Sequence, residues 1–399
     1  MEKRKPKLVL AFIESGMGHI TSMQAVKEGL IRKYSDVFDI ADVHPMDDNG
    51  PAKKYELFMI KQVLNTNTHK GFGPFIFFLL EILGRQWFFK LLHRTLIKAS
   101  TDSAVDCFVK EAPDVIVSTN HYTTFCALEY KRKHNPNVLV VTYNPDNNTH
   151  VWWDGWSGIF IVNNEFAYDE ALSRGFKKEN MRKSSYTVRQ KLVDSSLSKE
   201  EYRLKYNLPL DKFTVIIADG AYARAKSKDF AMELVKTDKP LTILFIAGKN
   251  DEMFANMTAE RELLKKSNRT NITLEVYPFM PDIHELYKAA DLFITKAGPN
   301  SIFDSLYMGT PVVVNYCSQP MEKKSYKWWV GRLHCGTACF NEHKIRPLVE
   351  SYIENPSLLN EYKENLTKYA GQSSGSDEIA DIVYTEYQKQ KGCANGKAE

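Results

Sequence analysis

The sequence ITKAGPNSIFDSLYMGTP occupies residues 294–311. Its apolar start predicts a buried strand, Gly298-Pro299 predicts a turn, and the residues that follow predict a helix that closes before Gly309-Thr310-Pro311. A strand, a tight turn and a helix in this order form the repeating unit of a doubly wound α/β fold. This stretch therefore predicts one unit of a parallel sheet with helices packed on it.

The same pattern recurs along the whole chain, where short apolar runs alternate with helical patterns. Such runs are typical of parallel strands that are buried on both faces. They lie at residues 8–13, 114–118, 138–142 and 158–162, and again at 213–218, 241–247, 272–276, 292–295 and 311–314. Because 399 residues are too many for one ordinary core, the sequence predicts an α/β protein with two Rossmann-like domains facing a central cleft.

A polar, charged stretch at residues 194–211 separates the two sets of strands. We therefore expect one domain at residues 1–193, a second at 194–375, and a C-terminal helix with a disordered tail at 376–399.

Composition excludes several classes of protein. A net charge of +4, with scattered basic residues, is too weak to indicate binding to nucleic acid. The six cysteines show no paired zinc spacing, which favours reduced thiols of a cytosolic protein. The longest apolar run outside the strands, residues 75–80, is far below the roughly 18 residues that a membrane-spanning helix needs.

One segment, residues 55–96, combines aromatic and basic side chains. It contains Phe58, Phe72, Phe75, Phe77, Phe78, Trp87, Phe88 and Phe89, interleaved with Lys61, Lys70, Arg85, Lys90, His93 and Arg94. Rings and cations together suit the headgroup region of an anionic membrane. The alternative is a pair of helices that packs its aromatic side chains into the core of its own domain.

Two turns carry residues suited to chemistry. The turn at Gly298 would present backbone amides to a diphosphate, and Asp304 in the following helix would hold ribose hydroxyls. At the end of the first strand, Gly16 and Gly18 precede His19, whose neutral imidazole suits a general base. For the turn at Gly298, the alternative is a strand–turn–helix unit that binds no ligand. For His19, the alternative is a histidine that caps a helix or orients substrate.

Residues 295–311 resemble the donor-site signature of glycosyltransferase family 28. This family holds the monogalactosyldiacylglycerol synthases, the processive diacylglycerol glucosyltransferases and the peptidoglycan N-acetylglucosaminyltransferase, and the match is nearest to the diacylglycerol enzymes. The resemblance continues in the same order over most of the chain. It includes residues 16–19, residues 114–121, Asp146, His150, Trp152 and Trp153 at altered spacing, Val188-Arg189, and residues 279–285.

The resemblance implies the GT-B architecture and an inverting hexosyltransferase that needs no metal or other cofactor. The donor substrate would be UDP-glucose or UDP-galactose. The acceptor would be a lipid such as 1,2-diacylglycerol, used in glycolipid synthesis at the cytoplasmic face of an anionic membrane. The N-terminal domain would take the acceptor and the C-terminal domain the UDP-sugar. The expected catalytic base is His19 or, alternatively, Asp146.

The residues expected at the UDP-sugar are Gly16, Gly18, Arg189, Gly220, Phe279, Met280, Lys296, Gly298, Pro299, Asn300, Ser301, Asp304 and Glu322. No Asp-x-Asp pair that would hold a divalent cation occurs in the chain. Arg189, backbone amides and helix dipoles would then meet the charge of the leaving group.

The chain also departs from the family pattern. Asp219-Gly220-Ala221 stands in place of a glycine-rich triplet, Pro320-Met321-Glu322 in place of Gly-Gln-Glu, and Ser185-Tyr186-Thr187 in place of Gly-x-Pro. Asp304 replaces a glutamate that is one methylene longer. Two other functions therefore stay open: a UDP-sugar 2-epimerase, and a non-catalytic protein that binds UDP-sugars.

Overall fold

The computed structural model describes residues 4–13, 17–46, 50–58, 86–153, 158–220, 223, 225–317, 320–368 and 374–395. The chain forms two compact units. One comprises residues 1–190 and 373–399, and the other residues 191–372.

The described residues of the first unit form a six-stranded parallel sheet in the order β2-β1-β3-β4-β5-β6. The central strands β1, β3 and β4 are buried almost throughout, which explains their continuous apolar sequences. The strands are β1 Lys7–Ala11, β2 Asp39–Val43, β3 Val115–Ser118, β4 Leu139–Tyr143, β5 Ile159–Val162 and β6 Met181–Lys183.

The described part of the second unit repeats this plan with a six-stranded parallel sheet in the order β12-β11-β10-β7-β8-β9. Its buried core combines side chains of β7, β8, β9 and β10 with those of the helices packed on them. The strands are β7 Phe213–Ala218, β8 Leu241–Gly248, β9 Ile272–Pro278, β10 Leu292–Lys296, β11 Val312–Tyr316 and β12 Gly336–Ala338. The predicted fold class, α/β with two Rossmann-like units, is confirmed.

Helices connect the parallel strands in both units. They are α1 Met17–Tyr34, α2 Gln86–Arg94, α3 Lys98–Glu111, α4 His121–Lys133, α5 Glu165–Ser173, α6 Gln190–Val193, α7 Lys199–Lys205, α8 Ala225–Leu234, α9 Asp251–Lys266, α10 Ile283–Ala289, α11 Pro299–Tyr307, α12 Pro320–Tyr326, α13 Ile345–Glu354, α14 Asn360–Leu366 and α15 Gly375–Asn395. Residues 51–58 are also helical, and α12 continues into one turn of π-helix at Lys327–Arg332.

The pattern of apolar runs in the sequence does not predict three short edge strands, β2, β6 and β12. Each lies at one side of its sheet and is only partly buried, so its residues are not uniformly apolar. Strand β2, for example, carries Asp39 and Asp42 on exposed positions. An edge strand has one neighbour instead of two, and polar residues there are tolerated.

The C-terminal helix α15 belongs to the first unit and continues to Asn395. Ile379, Ala380 and Val383 lie fully buried in the same cluster as Val26 and Leu30 of α1. Their spacing of one, three and four residues places them on one helical face. The end of the chain therefore completes the core of the unit in which the chain begins.

Close packing of α1 against α15 depends on Gly29. A Cβ atom at this position would clash with the backbone carbonyl of Ser376. We expect Gly29→Ala to lower the free energy of unfolding by about 1–3 kcal/mol, because neither backbone can move away without separating the helices. Urea denaturation checks this value. Gly392→Ala is the matched control, since no atom lies within 4 Å of a Cβ there. Equal stability of the two variants would contradict the prediction.

Candidate functional site

Both sheets end in loops that hold buried polar atoms without hydrogen-bond partners. In the first unit these atoms belong to Asn147, Asn148 and His150, which follow β4. In the second unit they belong to Thr295 on β10 and Asn315 on β11. A buried polar atom without a hydrogen-bond partner lowers the stability of the fold by about 1–3 kcal/mol, so the presence of these atoms needs an explanation. The carboxyl ends of parallel strands are also where α/β sheets bind ligands.

The backbone of Thr119, which follows β3, fixes His19. Helix α1 begins at Met17, so Gly18 and His19 lie in its first turn and not in the preceding loop. The Nδ1 atom of His19 lies 2.7 Å from the carbonyl oxygen of Thr119, and the Thr119 hydroxyl donates to the His19 carbonyl at 3.1 Å. A carbonyl oxygen only accepts, so Nδ1 carries the proton of the neutral ring. The Nε2 atom then keeps a lone pair. Gly16 lies outside the described residues.

Four further side chains from the loops after β3 and β4 complete the histidine cluster, defined here as His19, His121, Asp146, His150 and Trp153. The rings of His121 and His150 lie 5.8 Å apart, and Trp153 lies 6.1 Å from His121 and 6.4 Å from His19. Burial lowers the pKa of His121 well below its usual value, and the neighbouring histidines lower it further. His121 is therefore neutral near pH 7.

Two asparagine side chains hold the backbone of Asp146, the carboxylate residue of the histidine cluster. The Asp146 amide donates to the Asn144 side chain at 2.9 Å, and the Asn163 side chain donates to the Asp146 carbonyl at 3.3 Å. Burial alone would raise the pKa of Asp146, but hydrogen bonding to His150 and Trp153 and the electrostatic interaction with the neighbouring histidines hold it below its usual value. Asp146 is thus an anion near pH 7, 3.4 Å from His150 Nε2 and about a quarter exposed.

Helix α2 connects this cluster to the protein surface. Phe89 is buried against Trp152, with ring centroids 4.2 Å apart, and Trp152 lies 5.7 Å from His121. On the opposite side of the helix, Trp87 is 64% exposed and Leu91 is 51% exposed. One face of this helix is therefore core, as the second interpretation of the aromatic segment predicts, and the other face is exposed. Contact of the exposed face with a membrane stays a prediction. Residues 59–85, the larger part of that segment, lie outside the described residues.

In the second unit, the strand–turn–helix predicted from residues 294–311 is present. Pro299 is the first residue of α11, and Gly298 is its N-cap. Asn300 and Ser301 lie half-buried in the first turn, where backbone N–H groups have no acceptor within the helix. Asp304 is 7% exposed on the same helix. These are the elements of an anion site with a carboxylate five residues beyond it.

Lys296 joins this turn to the loop after β7. A β-bulge between Thr295 and Lys296 shifts the register of β10 against β11, and such bulges re-aim side chains next to active sites. The Lys296 amide donates to Asp219 at 3.1 Å, and its ammonium lies 2.7 Å from Glu322. We call Asp219, Gly220, Lys296, Gly298 and Glu322 the lysine cluster.

The remaining predicted residues lie apart from these contacts. Phe279 and Met280 follow β9, at the carboxyl edge of the second sheet. Phe279 is 39% exposed, and the ammonium of Lys249 lies 5.2 Å from its ring centroid. Arg189 is half-buried in the first unit, just before the chain passes into the second unit at Lys191.

The sequence analysis assigned no role to Asn315, and it named Thr295 and His121 only as parts of motifs. The available signal was a polar residue at the end of an otherwise apolar strand. Within the described ranges, the histidine cluster included, no group of three or more His, Cys, Asp or Glu side chains is placed to hold a metal ion. No described helix is long and apolar enough to span a bilayer.

Residues 225–321, which include Lys296, Gly298 and Asp304, match the model of the glycosyltransferase family 28 C-terminal domain. The match covers both the predicted donor turn and Lys296, so the resemblance inferred from residues 295–311 is confirmed.

Relatives extend the similarity beyond this domain. The processive diacylglycerol beta-glucosyltransferase of Bacillus licheniformis is 23% identical over 277 residues, which is 69% of each chain. Monogalactosyldiacylglycerol synthase 3 of Arabidopsis thaliana is 22% identical over 411 residues, covering 98% of this chain and 83% of that protein. The predicted enzyme class, a hexosyltransferase, is confirmed by the activities for which these relatives are named.

A solved structure shares the fold. MurG of Acinetobacter baumannii superposes with a TM-score of 0.58 at 14% identity, covering 95% of this chain and 99% of MurG. At this identity the likeness establishes the two-unit α/β architecture and not the substrate.

Proposed function

We propose that this glycosyltransferase moves a hexose from a UDP-sugar to the hydroxyl of a diacylglycerol-like lipid, at the cytoplasmic face of an anionic membrane. The hexose is glucose or galactose, the anomeric carbon is inverted, and no metal ion takes part. The observation that carries the proposal is the turn from β10 into α11, inside the matched family domain. There Lys296 and the first-turn amides suit an anion, and the Asp304 carboxylate follows on the same helix.

The donor half of the proposal assigns one part of UDP to each element. The first turn of α11 and Lys296 meet the diphosphate, because helix N-termini and cations stabilise negative charge. The Asp304 carboxylate accepts hydrogen bonds from the ribose hydroxyls. The loop that carries Phe279 and Met280 faces uracil, and Arg189 adds a second cation to the diphosphate.

The acceptor half depends on His19. As the lipid hydroxyl oxygen attacks the anomeric carbon, His19 Nε2 takes the hydroxyl proton and the bond from that carbon to the UDP oxygen breaks. The electron pair of the broken bond leaves with UDP, so a single displacement inverts the carbon. The anionic Asp146 lies in the same cluster as His19 and stabilises the imidazolium that forms, because opposite charges attract.

The position of helix α2 supports a lipid as the acceptor. Its exposed side chains Trp87 and Leu91 are separated from His121 only by the contacts of Phe89 with Trp152 and of Trp152 with His121. A lipid hydroxyl at the headgroup level would therefore meet the histidine cluster without leaving the membrane surface. The names of the relatives, a diacylglycerol glucosyltransferase and a monogalactosyldiacylglycerol synthase, favour the same acceptor class.

The decisive experiment incubates the protein with UDP-glucose or UDP-galactose and diacylglycerol, and identifies products by mass. Glycolipid and UDP in equal amounts support the proposal, and the configuration of the product tests inversion. A new UDP-sugar without glycolipid would indicate an epimerase. UDP binding without any product would indicate a non-catalytic protein. Unchanged rates in EDTA are expected, and a loss that Mg²⁺ or Mn²⁺ restores would overturn metal independence.

Binding to membranes tests the role of α2 separately. We expect Trp87→Glu/Leu91→Glu to weaken binding to phosphatidylglycerol/phosphatidylcholine vesicles by about tenfold or more, because two apolar side chains no longer enter the interface. Vesicle flotation measures this change. The matched control is Leu263→Glu, which alters a residue 61% exposed in the second unit. If both proteins float equally well, α2 does not face the membrane.

A further inference from the structure

Lys296 and Glu322 form a partly buried ion pair. Their side chains are 24% and 12% exposed, and the ammonium lies 2.7 Å from the carboxylate. Two charges that are this far removed from water stabilise each other. The loss of either group would leave the charge of the other partly buried, at a cost in free energy. The proposed function places Lys296 at the diphosphate, and the family resemblance leads us to expect Glu322 at the hexose of the same donor.

The stem of Lys296 crosses both glycine turns of the second unit. Its Cε atom lies 3.8 Å from where a Cβ of Gly220 would stand and 3.4 Å from that of Gly298. Gly220 has φ +80°, a backbone conformation that favours glycine. The ammonium therefore lies at the end of a stem that borders both loops expected at the diphosphate.

The backbone amide of this lysine is fixed, and its side chain is a long, rotatable stem. Its amide donates to Asp219, a buried residue that stands where the family has glycine. Beyond Cβ, a lysine side chain rotates about four bonds, and an ammonium accepts any arrangement of anionic oxygens. Lys296 can thus change its partner without a shift of β10.

We infer that Lys296 and Glu322 exchange partners when the donor binds, an inference that rests on the proposed function. The ammonium leaves Glu322 for the diphosphate, whose greater negative charge attracts it more strongly. The released carboxylate then accepts hydrogen bonds from the hexose hydroxyls. UDP alone offers no hydroxyl at that place, so its binding gives Glu322 no new partner in exchange for the ammonium.

The exchange gives the ion pair two roles, in the recognition of the donor sugar and in the release of the product UDP. A UDP-hexose satisfies both released charges, whereas the product UDP satisfies only the ammonium. Once the hexose has been transferred, Glu322 competes with the diphosphate for Lys296 and favours the departure of UDP. The pair therefore couples recognition of the sugar to retention of the diphosphate.

Calorimetric titration with UDP, UDP-glucose and UDP-galactose tests this exchange. We expect Glu322→Gln to bind UDP about three- to tenfold more tightly, because Lys296 no longer has to leave a carboxylate. The same variant should bind the accepted UDP-hexose no more tightly than wild type does. We expect Lys296→Met to weaken UDP binding by about 10- to 100-fold and uridine binding not at all, since only the diphosphate loses a charged partner.

Glu354→Gln is the matched control, because it removes one carboxylate from an ion pair with Lys239 in the same unit. It should leave all three affinities unchanged. Wild type that binds no UDP overturns the proposed function and this inference together. Wild type that binds UDP, with Glu322→Gln binding it equally or more weakly, overturns the exchange alone. An equal loss of UDP and uridine binding in Lys296→Met would indicate a structural role for the lysine.

Discussion

Replacing His19 by alanine is expected to lower kcat by about 10²–10⁴-fold while leaving the affinity for UDP unchanged. The reason lies in the tautomer. The Thr119 carbonyl lies 2.7 Å from Nδ1 and forces the proton onto that atom, so the lone pair of Nε2 is available to the acceptor hydroxyl. No other described group of the histidine cluster combines such a fixed lone pair with partial exposure.

The alternative base is Asp146, and a comparison of variants separates the two. Because the pKa of Asp146 is held below its usual value, its carboxylate is a weak base near pH 7. We therefore expect Asp146→Asn to lose less activity than His19→Ala. His134→Ala removes an exposed histidine of the same unit and should be neutral. A loss below tenfold in His19→Ala, with a larger loss in Asp146→Asn, would move the role of base to the aspartate.

The sequence predicts central strands well, for a physical reason. Strands β4 and β8 are buried along their whole length, so nearly every residue in them is apolar and the pattern is unambiguous. Strands β2 and β12 lie at sheet edges, where water contacts one side and polar or small residues suffice. The same pattern therefore finds the core of each sheet and misses its borders.

The sequence likewise predicts those site residues that lie close together in the chain, and it misses contacts between distant ones. Gly298, Pro299 and Asp304 lie within one strand–turn–helix, and local spacing is enough to predict their arrangement. The proton position on His19 depends on Thr119, one hundred residues away, and no local pattern contains that information.

The ion pair of Lys296 with Glu322 likewise joins two loops that are separate in sequence. A motif can name both residues without predicting that they are partners. The same is true of α15, whose apolar stripe predicts a helix but does not indicate which unit it completes.

The second large effect is expected from Asp304→Asn, which should raise the KM for the UDP-sugar by about 10- to 100-fold and leave kcat nearly unchanged. A hydrogen bond to a charged group contributes about 1.5–3 kcal/mol, and the asparagine loses the anionic acceptor for the ribose hydroxyls. The ribose takes no part in bond breaking, so ground state and transition state lose the same energy.

Two comparisons distinguish ribose binding from damage to α11, in which Asp304 is 7% exposed. Pyrophosphate lacks the ribose, so its affinity should be the same for wild type and Asp304→Asn. Asp304→Glu restores the carboxylate that the family carries and should retain most of the affinity for the UDP-sugar. If pyrophosphate binding falls together with UDP-sugar binding, Asp304 stabilises the helix and the amides of its first turn. The ribose contact would then have to come from another residue.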